Sequence, residues 1–272
     1  MLRIWLVPVA EGAHRPRKRF GQHFLRDQFA IRRLVSAIAP RAGELLIEIG
    51  PGRGALTGPL LDAGARILAI EIDRDLGALL QSKYADRRGF SLLLGDALTI
   101  DYRQLAGEGK LRLVGNLPYN LSTPLLFWLL AQRETIADMH FMLQKEVVAR
   151  LAARPATKAY GRLGVMVQYH CQVEPLFEVP PAAFAPPPKV DSAVVRLRPH
   201  ASPEPPAADP QLFARLVNLC FQQRRKTLRN CLRQLLPAAA LESLPAPPLD
   251  TRAETLSVAE LVELSNRIGD LS

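Results

Sequence analysis

The pentapeptide 116–120, Asn-Leu-Pro-Tyr-Asn, has residue types suited to holding a flat heterocycle that carries hydrogen-bond donors. Asn116 offers a side-chain carbonyl oxygen as an acceptor, and Tyr119 offers an aromatic face for stacking. Pro118 fixes its own φ and biases Leu117 toward an extended backbone. The amino group of adenine supplies matching donors, so the pattern predicts a base-binding segment. The same residues also fit an ordinary exit from a strand in which Tyr119 covers the core.

A second aromatic side chain with rigid surroundings lies in the stretch 175–210, which holds eleven of the chain's 23 prolines. These prolines would keep Phe184 in a stiff, extended loop. Phe184 could then form the other side of a clamp around a base. The stretch also fits a proline-rich surface connection in which Phe184 packs inward, and the pattern leaves both interpretations open.

Three glycines follow the short apolar run 44–49 and precede a helical pattern at 55–63. A strand, a glycine turn and a helix predict a βα unit whose turn lets a ligand approach bare backbone near a helix N-terminus. Gly50, Gly52 and Gly54 are therefore candidate cofactor-binding residues. Gly50, Gly52 and Ala55 also fit the spacing of the dinucleotide fingerprint, so the glycines alone leave a nicotinamide cofactor open.

An acidic residue stands at the end of each of three successive predicted strands: Glu48, Glu71 and Asp96. Glu71 is placed to accept both hydroxyls of a ribose, and Asp96 to accept from an adenine amino group. Glu48 puts a charge beside the glycine turn, which disfavours a pyrophosphate but suits a ligand with a cationic amino acid end. Each acid alone fits a helix cap or loop residue. The ordered set predicts S-adenosyl-L-methionine, which is positively charged and lacks phosphates.

The elements that must position these residues are strands that alternate with helices. Apolar runs at 44–49, 66–72, 90–94 and 111–115 are each followed by polar or helical segments. This alternation predicts an α/β, Rossmann-like sheet with helices on both faces. In such sheets ligands bind at the carboxyl ends of the strands, so Asn116 and the glycine turn are expected at one edge.

The remainder of the chain predicts a second, all-helical domain. Leucines near helical spacing over 212–236 predict a helix that carries several cations, and Ser257 with Glu260 predicts a capping box at a final helix, 255–268. We therefore predict a basic arm at 1–19, a Rossmann-like domain at 20–200, a linker rich in Pro, Ala and Ser at 201–210, and a helical domain at 211–272.

Two blocks concentrate the basic charge. The formal net charge is +9; residues 14–33 carry +6 and residues 211–240 carry +6 without any acid, so the rest sums to −3. Isolated blocks of this kind favour a polyanionic partner over a generally basic surface. A charge run also fits a solvated face, but two separate blocks favour nucleic acid.

Cysteine usage and hydropathy exclude several protein classes. Cys171, Cys220 and Cys231 are odd in number and widely spaced, which predicts free thiols in a reducing compartment and no zinc site. The sequence has no apolar run of about 18 residues, so we expect no membrane span. The apolar start at 2–10 is interrupted by Pro8, and a cytoplasmic location is favoured over a signal peptide.

Ordered motifs extend over almost the whole chain from Arg17: Lys18–Leu25, Glu48–Thr57, Glu71–Asp73, Gly95–Ala97, Asn116–Asn120, Ala183–Ser192 and Arg224–Asn230. Together they resemble the ribosomal RNA adenine dimethyltransferase family in its bacterial small-subunit form. That family often has Asn where His23 stands, and residues 1–12 match nothing in it.

The resemblance implies transfer of two methyl groups from S-adenosyl-L-methionine to the exocyclic nitrogen of each of two adjacent adenosines. These lie in a hairpin loop near the 3′ end of 16S rRNA, in the immature small subunit, and the enzyme is expected to be monomeric. By motif, the cofactor contacts are His23, Leu25, Gly50, Gly52, Gly54, Glu71, Asp96 and Asn116. The catalytic residues are Asn116, Leu117, Pro118, Tyr119 and Phe184. The RNA-binding residues are Arg17, Lys18, Arg19, Arg224, Arg225, Lys226 and Arg229.

Three alternatives stand beside this interpretation. Macrolide-resistance methyltransferases of 23S RNA share the cofactor motifs and a similar base-binding tetrapeptide; the segment Pro186–Ser192 and the basic helical tail favour the 16S type. A ribosome assembly factor could have the same motifs with methylation secondary to binding. A nicotinamide oxidoreductase is disfavoured by the acidic strand ends.

Overall fold

The structure is a computed structural model that describes residues 23–223 and 225–271. The predicted basic arm at 1–19 lies outside these residues. Within the described ranges, no helix has both the length and the apolar composition needed to cross a bilayer.

A mixed β-sheet forms the centre of the α/β part. The strands are β1 (Phe24–Leu25), β2 (Leu45–Ile49), β3 (Arg66–Glu71), β4 (Phe90–Leu94), β5 (Leu111–Asn116), β6 (Ile136–Gln144), β7 (Cys171–Val179), β8 (Phe184–Ala185) and β9 (Ser192–Pro199). Seven of them follow the order β4-β3-β2-β5-β6-β9-β7, while β1 and β8 pair with each other. The strands β4, β3, β2, β5 and β6 run parallel to one another, and β9 is antiparallel to β6.

The sequence of the parallel strands explains their place in the middle of the fold. Strands covered on both faces read as continuous apolar runs, and Leu46, Ile47, Leu113 and Val114 are all fully buried. The strand order reverses at β2, because β3 lies on one side of it and β5 on the other. The predicted α/β, Rossmann-like sheet is confirmed, with its switch point between β2 and β5.

Helices connect the strands and build the remainder of the chain. They are α1 (Gln28–Ile38), α2 (Thr57–Asp62), α3 (Arg74–Lys83), α4 (Tyr102–Ala106), α5 (Ser122–Leu130), α6 (Lys145–Leu151), α7 (Arg162–His170), α8 (Pro210–Gln222), α9 (Leu228–Leu232), α10 (Ala238–Glu242) and α11 (Val258–Asp270). Side chains cap the starts of α1, α3, α4, α8 and α11. At α1, for example, Asp27 accepts a 2.7 Å hydrogen bond from the Ala30 backbone.

The C-terminal helices agree in part with the predicted pattern. Ser257 and Glu260 form the predicted capping box at α11. The helix predicted over 212–236 is instead interrupted: α8 ends at Gln222, and Leu228 begins α9 after a turn. The interruption is held by the backbone, because Leu228 N donates to Thr251 O at 2.8 Å. Of the cations in the second basic block, Arg225 and Lys226 therefore lie in the turn between α8 and α9.

Contacts divide the chain into two compact units. Among the described residues, the sheet unit comprises 23–145 together with Glu174–Arg198, and the helical unit comprises Glu146–Val173, 199–223 and 225–271. The core of the sheet unit buries aliphatic side chains of the parallel strands against the helices that connect them. Each unit has its own set of buried apolar residues.

This division differs from the boundaries predicted at 20–200 and 201–210. Helix α7 belongs to the helical unit because its buried face packs there; the rings of Tyr169 and Phe213 are 4.6 Å apart. The stretch predicted as a linker is fixed to the same unit, since Ala207 N donates to the Tyr169 hydroxyl at 2.9 Å. The predicted and observed boundaries differ because α7 packs against residues distant in sequence, and local composition does not indicate such packing.

Candidate active site

The glycine turn after β2 has the left-handed backbone that its sequence predicts. Gly50, Gly52 and Gly54 have φ values of 65°, 58° and 76°. At Gly54 a side chain is excluded by space as well, because a Cβ would lie 2.6 Å from the Tyr84 hydroxyl. That hydroxyl donates to Gly54 O at 2.9 Å and so fixes the end of the turn.

Glu71, at the end of β3, ties the glycine turn to the next strand. One carboxylate oxygen accepts from Gly52 N at 3.3 Å, and the other accepts from Asp73 N at 3.0 Å. Burial raises the pKa of Glu71 above its ordinary value, and the backbone hydrogen bonds oppose that rise. The side chain thus orients the turn and still lines the clefts described below.

Glu48 is a completely buried acid beside the same turn. The Thr57 hydroxyl donates to its carboxylate at 2.6 Å. Desolvation raises the pKa of Glu48 to about 7, and the nearby Glu71 carboxylate adds to the rise. A charged Glu48 is therefore unfavourable in the free protein at neutral pH.

Replacing Glu48 by Gln is expected to stabilise the fold at pH 8. Between pH 4.5 and about 7 the folded state holds the Glu48 proton that the unfolded state has lost, so stability falls as pH rises through this window. Above pH 7 the folded protein bears the full cost of a buried, ionised Glu48, on the order of 3 kcal/mol. Glutamine removes this cost because its amide is neutral, and its side-chain oxygen can still accept from the Thr57 hydroxyl. Urea unfolding should show the gain at pH 8 and a smaller gain at pH 5. The exposed Glu108→Gln is the matched control, and equal effects of both variants would contradict the account.

Two clefts open at the carboxyl edge of the sheet unit and share Gly50, Glu71 and Pro118. The first has about 760 Å³ of space, including open solvent, and the second about 630 Å³. The first is lined by residues 23–25, Glu48, 50–53, Ala55, Leu56, Glu71, Leu76 and 116–119. The second is lined by Ile49, Gly50, 70–72, 95–97, Pro118, Asn120 and Leu121.

Most predicted cofactor residues line these clefts. His23, Leu25, Gly50, Gly52 and Asn116 line the first, and Asp96 lines the second. Gly54 lines neither, because it closes the turn against Tyr84. Asp96 also has the loop role that its sequence allowed, since one of its carboxylate oxygens accepts from Leu98 N at 2.9 Å.

Sequence reasoning missed one apolar contributor to the second cleft. Ile72 follows Glu71 directly, just beyond the end of β3, and is 50% exposed although it is a large aliphatic residue. It lies in the same cleft as Asp96, where a flat ring could rest on it. Its position inside the Glu-Ile-Asp motif was the available signal.

Asn116 is oriented by a backbone carbonyl from the N-terminal side of the site. Its side-chain nitrogen donates to His23 O at 3.1 Å. A carbonyl accepts only from the amide nitrogen, so this bond places the Asn116 side-chain oxygen as the acceptor that is left for a ligand. Asn116, at the end of β5, is one of the residues that line the first cleft.

Tyr119 lies half-buried in the first cleft and is held at both its ring and its hydroxyl. The His23 ring stacks on it with a centroid distance of 5.7 Å and an interplanar angle of 30°. The Tyr119 hydroxyl shares a 2.9 Å hydrogen bond with the Ser192 hydroxyl at the start of β9. His23 is in turn fixed, because its Nδ1 lies 2.9 Å from Pro186 O. The ring plane is thus set before any ligand arrives.

Phe184 does not reach either cleft. Its side chain is 1% exposed and belongs to the main apolar cluster of the sheet unit. The pairing of β8 with β1 turns it inward, with Leu25 opposite Phe184 in the register. Phe184 therefore packs inward, as the second interpretation of the proline-rich stretch describes. In this conformation Phe184 does not form the second side of a base clamp.

Phe184→Ala is expected to destabilise the fold by about 3–5 kcal/mol, as for other buried aromatics cut to alanine. Phe184→Leu should lose less, because it keeps most of the buried volume. Thermal unfolding and methyl transfer measured on both variants separate the two roles. If Phe184→Leu keeps the stability of the wild type but loses turnover, the Phe184 ring contacts the target base during the reaction. If stability and turnover change together, it acts through packing.

The predicted RNA-binding residues divide into three groups. Arg225 and Lys226 are exposed in the turn between α8 and α9. Arg229 is exposed in part and forms an ion pair with Glu242 inside the helical unit, so its charge is shared with an acid. Arg17, Lys18, Arg19 and Arg224 lie outside the described residues.

Comparison with known proteins adds to this geometry. Residues 13–270 match the family model described as "Ribosomal RNA adenine dimethylase". A Pseudomonas aeruginosa protein called "Ribosomal RNA small subunit methyltransferase A" is 56% identical over 259 residues, which cover 95% of this chain and 96% of that protein. A Chromohalobacter salexigens protein of the same name is 54% identical over 263 residues, which cover 95% and 93%.

Solved structures show the same fold over nearly the whole chain. A dimethyladenosine transferase from Plasmodium falciparum superposes with a TM-score of 0.74 at 24% identity, covering 91% of this chain and 98% of that one. The 23S rRNA methyltransferase ErmE superposes with a TM-score of 0.68 at 28% identity, covering 90% and 99%.

Proposed function

Because the chain belongs to the ribosomal RNA adenine dimethylase family, we propose that its clefts bind S-adenosyl-L-methionine and a target adenosine of 16S rRNA. The chain is an rRNA adenine-N6,N6-dimethyltransferase of the small-subunit type. Its substrates are two adjacent adenosines in a hairpin loop near the 3′ end of 16S rRNA, and the activity is part of small-subunit biogenesis.

The residues at the carboxyl edge fit S-adenosyl-L-methionine by charge and shape. This cofactor supplies a methyl group on a positively charged sulfur. Glu48 and Glu71 line the first cleft, where a bound cation would stabilise their charged forms, and backbone without side chains at Gly50 and Gly52 allows close approach. Glu71 is placed for ribose hydroxyls, and Asp96 with Ile72 for an adenine ring. The buried acids suit a cation better than a phosphate.

The target adenosine is held by the end of β5. An exocyclic amino group is a poor nucleophile because its lone pair is delocalised into the ring. The Asn116 side-chain oxygen and the Leu117 carbonyl accept from its N–H groups and turn the lone pair toward the methyl group, while Pro118 fixes the loop. Tyr119 stacks on the base once it is flipped from its own stack. Orientation of this kind can contribute on the order of 7–11 kcal/mol.

Small-subunit RNA is favoured over large-subunit RNA as the substrate. The relatives at 54–56% identity are named as small-subunit enzymes, whereas the 23S enzyme ErmE is 28% identical. We further propose that the protein acts as a monomer on the immature subunit, in the cytoplasm. The exposed Arg225 and Lys226 supply charge for contacts with RNA phosphates.

The observation that carries this proposal is the hydrogen bond from the Asn116 side-chain nitrogen to His23 O, which leaves the side-chain oxygen as the acceptor of a residue that lines the first cleft together with Tyr119. The test is incubation with labelled S-adenosyl-L-methionine and unmethylated ribosomal subunits, followed by mapping of the modified nucleotides. We expect dimethylation of two adjacent adenosines near the 3′ end of 16S rRNA. Label confined to 23S rRNA, or absent from both, would refute it.

A further inference from the structure

The exposed face of α1 combines cations with an aromatic ring that the site described above does not use. Phe29 is 62% exposed, which is unusual for a phenylalanine. Arg32 and Arg33 lie on the same face, three and four residues further along α1, and Arg26 precedes the helix; all three are exposed. We define Arg26, Phe29, Arg32, Arg33 and Phe177 as the α1 platform.

Arg33 contacts both aromatic rings of the α1 platform. Its guanidinium carbon lies 4.0 Å from the centroid of the Phe177 ring on β7 and 5.6 Å from that of Phe29. Stacking on Phe177 holds the planar guanidinium while its N–H groups remain at the edges, where they can meet a phosphate. The outer ring, Phe29, leaves one aromatic face to solvent.

The charge of the platform is not neutralised by neighbouring acids. Among the described residues, none of the three arginines forms an ion pair with Asp or Glu within 4.0 Å. The nearest acid in sequence, Asp27, accepts from Ala30 N at the start of α1. Glu178, next to Phe177 on β7, pairs with Lys145 at 2.7 Å. The face therefore carries three positive charges.

The platform begins beside the first cleft. Leu25 lines that cleft and Phe29 follows it by four residues, so the two backbones are within about 14 Å of each other. That distance corresponds to about four stacked nucleotides of one strand. Both residues belong to the sheet unit.

We propose that the α1 platform binds the RNA segment that flanks the target adenosines, with one base stacked on Phe29 and phosphates on Arg26, Arg32 and Arg33. Exposed aromatics among cations are the usual means of holding single-stranded RNA. This inference rests on the proposed function, because it assigns a further part of the same RNA to a surface next to the cleft.

The charge contribution is tested with two triple variants of equal charge change. R26Q/R32Q/R33Q removes the platform cations. R66Q/R88Q/K110Q removes three exposed cations near the starts of β3, β4 and β5, at the opposite edge of the sheet. Binding to protein-free, unmethylated 16S rRNA is measured from 50 to 200 mM salt. We expect the platform variant to lower the slope of log K against log salt by about 2. Equal slopes for the two variants would overturn the proposal.

The stacking contribution is tested at Phe29 alone. Phe29→Ala is expected to weaken RNA binding roughly 10-fold, and Phe29→Trp should restore it because a larger ring still stacks. Val190→Ala, at another exposed apolar residue, is the control. Equal affinity of Phe29→Ala and the control would overturn the stacking role. Melting temperatures of all variants should match the wild type, since every altered side chain is exposed.

Three further outcomes separate this inference from its premise. If the variants weaken binding to intact small subunits but leave binding to protein-free rRNA unchanged, the platform contacts a ribosomal protein and the RNA proposal is wrong. If the wild type methylates the adenosines and the variants match it in KM for subunits, only the platform fails. If the wild type modifies no adenosine, the proposed function itself fails. We expect a raised KM with an unchanged kcat and unchanged binding of S-adenosyl-L-methionine.

Discussion

Asn116→Ala is expected to reduce methyl transfer by about 10²–10³-fold while small subunits still bind with wild-type affinity. The loss is of the size found when one oriented acceptor or donor is removed from the reacting group. Asn116 is held by His23 O, so its oxygen is already in place before the substrate arrives. Truncation removes both the acceptor and its orientation, and the delocalised lone pair is no longer turned toward the methyl group.

The measurement is single-turnover methylation of unmethylated small subunits, with subunit binding followed separately. Gln104→Ala removes an exposed amide on α4 and is the matched control. Asn116→Asp is informative as a second variant, because it keeps oxygen acceptors but loses the donor to His23 O. We expect it to be impaired as well, since two oxygens would then face each other. Near wild-type turnover of Asn116→Ala would remove Asn116 from the mechanism.

Gly115→Ala is expected to cost about 3 kcal/mol or more of stability and to disable the site. A Cβ at Gly115 would lie 2.4 Å from the backbone oxygen of Ile49 on the neighbouring strand. Backbone cannot move aside like the end of a flexible side chain, so β2 and β5 would have to separate. These strands carry the glycine turn and Asn116, and a shift between them misaligns both halves of the site.

Urea unfolding and binding of S-adenosyl-L-methionine test this expectation. Gly109→Ala is the control at the other end of β5, where the nearest atom to an added Cβ is Ala106 O at 3.6 Å. Gly109→Ala should unfold like the wild type. A Gly115→Ala protein with the stability and cofactor affinity of the control would contradict the predicted clash between the added Cβ and the Ile49 backbone.

The carboxyl edge of the sheet was predictable because its signals are local. Each apolar strand ends in a chemically distinct residue, and parallel strands bring those ends together without further information. Gly50, Glu71, Asp96 and Asn116 reach the two clefts for this reason. The capping box at Ser257 is equally local, since its bonds span only three residues.

Features that depend on distant pairing were not predictable in the same way. The prolines around Phe184 predicted stiffness but not direction, and the direction is set by pairing of β8 with β1, which is some 160 residues earlier in the chain. The membership of α7 in the helical unit depends on packing of Tyr169 against Phe213. The break after Gln222 depends on a backbone bond to Thr251. Local composition contains none of these contacts.

The ring of Tyr119 is fixed by parts of the chain that are made at very different times. His23 stacks on it from near the N-terminus, and Ser192 holds its hydroxyl from a strand 73 residues further on. Translation proceeds from the N-terminus, so a nascent chain has the glycine turn long before it has Ser192. The contacts that fix the Tyr119 ring are therefore complete only late in synthesis, after the strand that carries Ser192 has emerged.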